Sequence, residues 1–197
     1  MKKYRNSLLT ALLTGVFCAT AALVIGLNTA EDVPAQEIKD TEITAKPIYC
    51  YTEMYTPTGD TSFKSYMGYT KITNTNSAQY KLQGECYTDA YGLRRRGSDY
   101  VVALGTGYAD EIGDRFKITL DSGEHFNVIV GDFKADADTD AATHTYTPMQ
   151  NGNKNVVEFV VDVDALGRTP RKMGDISYCG DDFKGNIAKV ERIEKND

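Results

Sequence analysis

The sequence contains no tryptophan and only two histidines and four cysteines among its 197 residues. His125 and His144 are far apart, and no two cysteines are closely spaced, which argues against a metal site. A phosphate-binding loop and a serine nucleophile elbow are also missing. Tryptophan is the side chain that many sugar-binding clefts use for stacking, although the 13 tyrosines could replace it. We therefore predict neither a metal nor a cofactor.

Basic residues are outnumbered by acidic ones. The chain has 22 Lys and Arg against 28 Asp and Glu, a formal net charge of -6, which argues against a nucleic-acid partner. One local basic run, Arg94 to Arg96, is predicted to be a solvated hairpin tip, with contact to anionic envelope polymers as the alternative. The acidic stretch from Asp136 to Asp140 does not fit a calcium-binding EF-hand, because Ala141 occupies the position that requires glycine.

A long uncharged apolar run extends from Ser7 to Leu27, after a basic N-terminal end. Its length approaches the roughly 20 residues that span a bilayer, so we predict a transmembrane signal anchor over residues 1–27. The basic end then stays in the cytoplasm, and everything after Leu27 lies outside. The alternative is cleavage after Ala30, which would yield a secreted protein.

Beyond the anchor, residues 28–61 are polar and contain three prolines, which predicts an extended linker before a folded domain over residues 62–197. Three cysteines, Cys50, Cys86 and Cys179, follow the anchor, in a compartment where disulfides persist. A bridge between Cys86 and Cys179 would join the two ends of the domain, and the other pairings stay open.

Short runs rich in β-branched and aromatic residues follow one another between Asp99 and Asp162, and they are bounded by Gly, Asp and Asn. Four runs have the length of a strand: Tyr100 to Leu104, Phe116 to Leu120, Phe126 to Val130 and Val156 to Val161. The tail from Gly185 to Glu194 alternates apolar and charged residues, which favours a further strand over a helix. These patterns predict a mainly β domain, a small barrel with single carboxylates at its strand ends.

Several short motifs resemble a known family in their order along the chain. They are Leu104-Gly105-Thr106, Ile112-Gly113-Asp114-Arg115-Phe116, Leu120-Asp121-Ser122-Gly123, Val128-Ile129-Val130-Gly131-Asp132 and Asn155-Val156-Val157-Glu158-Phe159. The stretch from Cys86 to Asp162 resembles the double-psi β-barrel superfamily, above all the three-aspartate domains of lytic transglycosylases and of Gram-positive wall-remodelling proteins. The longer stretch from Phe63 to Glu194 is similar to membrane-anchored proteins of Gram-positive bacteria.

The resemblance implies a double-psi-like β-barrel with short helical elements behind the transmembrane helix. Its partner would be peptidoglycan or another envelope polymer, and its site residues would be Asp99, Asp132 and Glu158. Such enzymes cleave the bond between N-acetylmuramic acid and N-acetylglucosamine with one acid. Asp132 would be that acid and base, Glu158 would raise its pKa, and Asp99 would orient the substrate or bind backbone amides.

The chain departs from the family pattern at the site. Phe133 and Lys134 stand where the family has Thr-Gly, Ala103 stands where it has Pro, and Glu158 replaces Asp. Acids at strand ends also cap turns or pair with Lys and Arg. A non-catalytic binding or structural domain of the envelope is therefore the alternative. Convergence of the three carboxylates in one groove favours the enzyme, and scatter or ion pairing favours the alternative.

Overall fold

The computed structural model describes residues 47–196, which form a mainly β unit with only short helices, as the sequence predicts. The two α-helices are α1, Ala78–Gly84, and α2, Arg168–Met173. The strands, numbered in chain order, are β1 Ile48–Met54, β2 Ser65–Gly68, β3 Tyr87–Thr88, β4 Arg94–Arg96, β5 Asp99–Leu104, β6 Arg115–Leu120, β7 His125–Phe133, β8 Thr147–Pro148, β9 Lys154–Asn155, β10 Glu158–Val161 and β11 Ile187–Asn196.

Nine strands form one mixed sheet. Seven of them follow the order β1-β11-β6-β7-β5-β10-β2. Strand β4 pairs with β5 on the same edge as β10, and β3 pairs with β4. The pairs β5 with β7 and β2 with β10 are parallel, and the other pairs are antiparallel. Strands β8 and β9 form a separate hairpin. Among the described strands, β1 and β2 end the path without pairing with each other, so the predicted barrel is not closed.

Alternation along the strands divides the apolar side chains between the two faces of the sheet. On β5, Val102 and Leu104 belong to the main core, whereas Val101 belongs to a smaller cluster, and we call the two sides the main face and the second face. The core of the main face includes Phe116, Ile118, Phe126, Val128, Val130, Phe159, Val161, Leu166, Ile176 and Phe183. The second cluster consists of Leu82, Val101, Ile129 and Val160.

A cluster of aromatic rings lies within the core of the main face. Tyr100, Phe126, Phe159 and Phe183 pack together with ring centroids 5.4 to 6.0 Å apart, within the range of favourable aromatic pairs. Phe183 comes from the segment after α2, so the C-terminal part of the chain closes the main core.

The folded unit begins earlier than the predicted start of the domain. The predicted anchor and the linker up to residue 46 lie outside the described residues, but Ile48–Met54 forms β1 and pairs with β11 along its length. The side chains of β1 are mostly exposed, so no alternating apolar pattern marks it in the sequence. Between residues 47 and 196 no helix combines the length and the apolar character needed to cross a membrane.

Short helices lie between the strands. The hydroxyl of Ser77 accepts a hydrogen bond from the backbone N–H of Tyr80 and caps the start of α1. Helix α2 ends at Gly174, whose φ of 69° is the left-handed conformation that glycine adopts without strain.

The predicted Cys86–Cys179 disulfide is not formed, and both residues are free thiols, as is Cys50. Cys86 packs against the second cluster and Cys179 against the main core, so the sheet lies between them. The thiol of Cys86 donates to the carbonyl oxygen of Leu82 at 3.0 Å. Burial raises the pKa of Cys86 and raises that of Cys179 to about 11, which makes both thiols poorly reactive.

The basic run from Arg94 to Arg96 is a strand, β4, rather than a solvated tip. The side chain of Arg94 is turned inward and is only 9% exposed. Its guanidinium donates to the carbonyl oxygens of Gln83 at 2.8 Å and Cys86 at 2.9 Å, and lies 4.7 Å from the ring centre of Tyr69. Arg94 therefore holds α1 against the sheet instead of presenting charge to a partner.

Candidate functional site

The acids Asp132 and Glu158 lie on either side of the same residue. Ala103 of β5 pairs with Asp132 of β7 on one side and with Glu158 of β10 on the other. Ala103 points to the second face, because its neighbours Val102 and Leu104 point into the main core. Directly paired residues share a face, so both carboxylates lie on the second face, about 10 Å apart at their Cα atoms. We call Asp132 and Glu158 the acid pair.

A β-bulge places Asp132 on this face. The pairing of β5 with β7 changes register between Val102 and Ala103, which leaves Gly131 as an extra residue on β7. Without it, Asp132 would move by one position and point into the main core. A Cβ atom on Gly131 would lie 2.2 Å from Cγ1 of Val101, so only glycine fits without a shift of its neighbours.

Asp99, the third predicted acid, lies elsewhere. It begins β5, four residues before Ala103, or about 13 Å away along the strand. Its side chain is almost completely buried in a two-point ion pair with Arg115, with Nε 2.5 Å from Oδ2 and a terminal guanidinium nitrogen 3.2 Å from Oδ1. The hydroxyl of Ser98 also donates to Oδ1 at 3.2 Å. The structure thus brings together two of the three predicted acids, and the third forms an ion pair.

Lys134 brings a buried positive charge close to Glu158. Its side chain is 6% exposed, and Nζ donates to the carbonyl oxygen of Asn155 at 2.6 Å and to the hydroxyl of Thr147 at 3.3 Å. Burial lowers the pKa of Lys134 to about 8, and the negative charge of Glu158 opposes that shift. The amide of Asn155 donates to the hydroxyl of Ser65 at 2.7 Å. Ser65 lies on β2, where it pairs with Glu158 of β10.

Sequence reasoning identified Lys134 as a neighbour of Asp132, but it missed Ser65 and Asn155. Ser65 reaches the site only through the parallel pairing of β2 with β10, which joins distant parts of the chain. Asn155 is buried, and its side chain bridges these two segments. An asparagine immediately before an apolar strand was the one local signal for this contact.

The buried amines predict a pH dependence. We expect the free energy of unfolding to rise by about 1 kcal/mol per pH unit for each of Lys134 and Lys64 above about pH 8. Lys64 is fully buried and donates to the carbonyl oxygens of Ser62 and Gly185, and burial lowers its pKa to about 8. The ordinary lysine pKa is 10.5, so above about 8 the folded protein has released protons that the unfolded chain still binds, and stability rises.

Urea unfolding at about pH 7.5, 8.5 and 9.5 measures this slope. The variant Lys134→Met should show a shallower rise than the unchanged protein, because one of the two buried amines is gone. Lys184→Met is the matched control, since Lys184 is exposed and paired with Asp181. A slope in Lys134→Met equal to that of the unchanged protein would contradict the assignment.

The chemistry available at the acid pair is proton transfer and hydrogen bonding to a polar ligand. A buried amine, an amide and a hydroxyl lie around Glu158, and they come from the residue after β7, the segment before β10 and β2. The second carboxylate, Asp132, lies across Ala103 from Glu158 on the same face. Within residues 47–196 no three His, Cys, Asp or Glu side chains are grouped so that they could hold a metal ion. No family model matches the chain, and no curated protein matches it.

Proposed function

We propose that this chain is a membrane-anchored protein of the cell envelope that cleaves peptidoglycan glycan strands in the manner of a lytic transglycosylase. The observation that carries the proposal is the acid pair, in which Asp132 and Glu158 flank Ala103 on one face of the sheet. Position 132 is also the one at which the family resemblance implies the acid and base.

Asp132 would do the chemistry alone. Its Oδ1 accepts a hydrogen bond from the backbone N–H of Phe133 at 2.9 Å, which fixes the orientation of the carboxyl group. The protonated acid donates to the glycosidic oxygen as the bond from that oxygen to C1 of the muramoyl unit breaks. The carboxylate then accepts the proton of the muramoyl 6-hydroxyl as its oxygen bonds to C1, so the ring closes without consuming water. Glu158 lies across Ala103 from this acid on the same face of the sheet.

The strand order supports a double-psi-like relation. Strand β7 lies between β5 and β6, antiparallel to β6 and parallel to β5, so the consecutive strands β5 and β6 are not neighbours in the sheet. The stretch with this order is the one whose motifs resemble the three-aspartate domains.

A muropeptide digest tests the proposal. The full chain is incubated with Gram-positive peptidoglycan, and the soluble products are separated and weighed. We expect anhydro-muropeptides, and Asp132→Asn should lower their rate of release at least about 100-fold, the usual contribution of a general acid. Asp138→Asn, in an exposed 3₁₀ turn, is the matched control and should release products at the unchanged rate. Equal release by the Asp132→Asn variant would refute the proposed role.

One observation favours a second candidate function, a non-catalytic envelope-binding domain. Asp99 is held by Arg115 and is unavailable to a substrate, so the set of three acids is incomplete at the acid pair. For this candidate we expect the chain to sediment with insoluble peptidoglycan, to release no soluble product, and to bind equally well as the Asp132→Asn variant.

A further inference from the structure

A groove of about 480 Å³ lies beside α1, between that helix and the segment that begins with the 3₁₀ turn Tyr69–Lys71. Tyr69 packs against the second cluster, to which Leu82 of α1 belongs, so the groove opens on the same face of the sheet as the acid pair. Its volume falls within the range of small-molecule sites. The side chains that line it include those of Tyr69, Thr70, Ile72, Thr73, Tyr80 and Gln83.

The lining defines the chemistry of a ligand. Two tyrosine rings offer apolar faces, and threonine hydroxyls offer both donors and acceptors. No lining residue carries a formal charge, so the groove is suited to a neutral molecule. A molecule with C–H faces on its rings and hydroxyl and amide groups at its edges matches this surface, and that is the composition of an N-acetylated sugar.

The ring of Tyr69 is held in place before any ligand arrives. The guanidinium of Arg94 lies 4.7 Å from its centre, and Arg94 is itself fixed by the carbonyl oxygens of Gln83 and Cys86. A preformed aromatic surface lowers the entropy lost on binding.

Gln83 lies between the groove and Gly131, the residue before Asp132. Its side chain is 7% exposed, and its Oε1 accepts a hydrogen bond from Nε of Arg94 at 3.3 Å. Its buried Nε2 has no hydrogen-bond partner among the described residues, and it lies 3.3 Å from the place where a Cβ atom on Gly131 would stand. Gly131 immediately precedes Asp132 in the chain.

From these contacts we infer that the groove is a binding subsite for a neutral N-acetylated saccharide chain that continues toward the acid pair. The choice of a glycan as the ligand rests on the proposed function, whereas the location and the neutrality of the site rest on the geometry of the groove.

Calorimetric titration with the tetramer of N-acetylglucosamine tests this inference on the full chain. Tyr80 is 43% exposed on α1, so its ring can be removed with little effect on the fold. We expect Tyr80→Ala to raise the dissociation constant about tenfold and Tyr80→Phe to keep most of the affinity, because the stacking surface remains. Tyr87→Ala is the matched control, since Tyr87 is 51% exposed on β3 and outside the groove. No binding of the tetramer, or equal loss in Tyr80→Ala and Tyr87→Ala, would overturn the inference.

The Asp132→Asn variant separates this inference from the proposed function. It should still bind the tetramer in a way that depends on Tyr80, because the groove does not include Asp132. Binding that depends on Tyr80, without release of muropeptides by the unchanged protein, would leave the subsite standing and refute the cleavage. The opposite result is release of muropeptides by the unchanged protein, with a Tyr80→Ala variant that neither slows that release nor weakens tetramer binding. This result would support the cleavage and refute the subsite.

Discussion

Replacing Asp99 by alanine is expected to lower the free energy of unfolding by about 3 kcal/mol, because it breaks a largely buried ion pair from one side. Asp99 is 4% exposed and binds Arg115 at two points, whereas the Arg115 side chain is 30% exposed. Removal of the carboxylate leaves the guanidinium partly buried without its partner. Water reaches Arg115 to some extent, which keeps the expected loss at the lower end of values for buried pairs.

Urea unfolding of Glu85→Ala gives the matched comparison, since Glu85 forms an exposed pair with Arg96 and should cost less than about 1 kcal/mol. Asp99→Asn separates the two interpretations of Asp99. A structural ion pair predicts that this variant is also destabilised, whereas a substrate-orienting role predicts normal stability with lost activity. An Asp99→Asn protein as stable as the unchanged one would contradict the structural role.

The regular strands of the sheet could be predicted because their signals are local. The runs predicted at Tyr100 to Leu104, Phe116 to Leu120 and Phe126 to Val130 correspond to β5, β6 and β7, each within a few residues. Each run combines β-branched and aromatic residues with a turn at its end. The alternating tail is likewise a strand, β11.

The elements that were missed depend on contacts between distant segments. Strand β1 has mostly exposed side chains and exists because β11, from the other end of the chain, pairs with it. The burial of Arg94 follows from carbonyl groups that the end of α1 and the loop after it present, and a run of three arginines carries no sign of that environment. The disulfide prediction failed for the same reason, because sequence positions do not tell which face of the sheet a cysteine occupies.

The acid pair contains features that the sequence could predict and features that it could not. A carboxylate after an apolar strand marks Asp132, and one at the start of the next long strand marks Glu158. Their arrangement on one face depends on the bulge at Gly131. A glycine within a strand pattern indicates a bulge, but it does not show to which face of the sheet the next side chain points. The partner of Asp99 was also hidden, because Arg115 comes from β6, which is not adjacent to β5.

A second large loss of stability is expected from a substitution at the bulge. We expect Gly131→Ala to lower the free energy of unfolding by about 2 to 3 kcal/mol, as overpacking of a well-packed core does. The new Cβ atom would lie 2.2 Å from Cγ1 of Val101, a stiff side chain in the second cluster, and 3.3 Å from Nε2 of Gln83. Urea unfolding measures the loss, and the digest measures whether Asp132 stays in position.

Two further variants decide whether the clash is the cause. Gly84→Ala is the matched control, because a Cβ atom there meets nothing within 4 Å and alanine favours the helix, so stability should be unchanged or higher. Val101→Ala removes the methyl group that the new Cβ would meet, so Gly131→Ala should cost less in a Val101→Ala background than alone. Equal costs in the two backgrounds would mean that the clash with Val101 is not the cause of the lost stability.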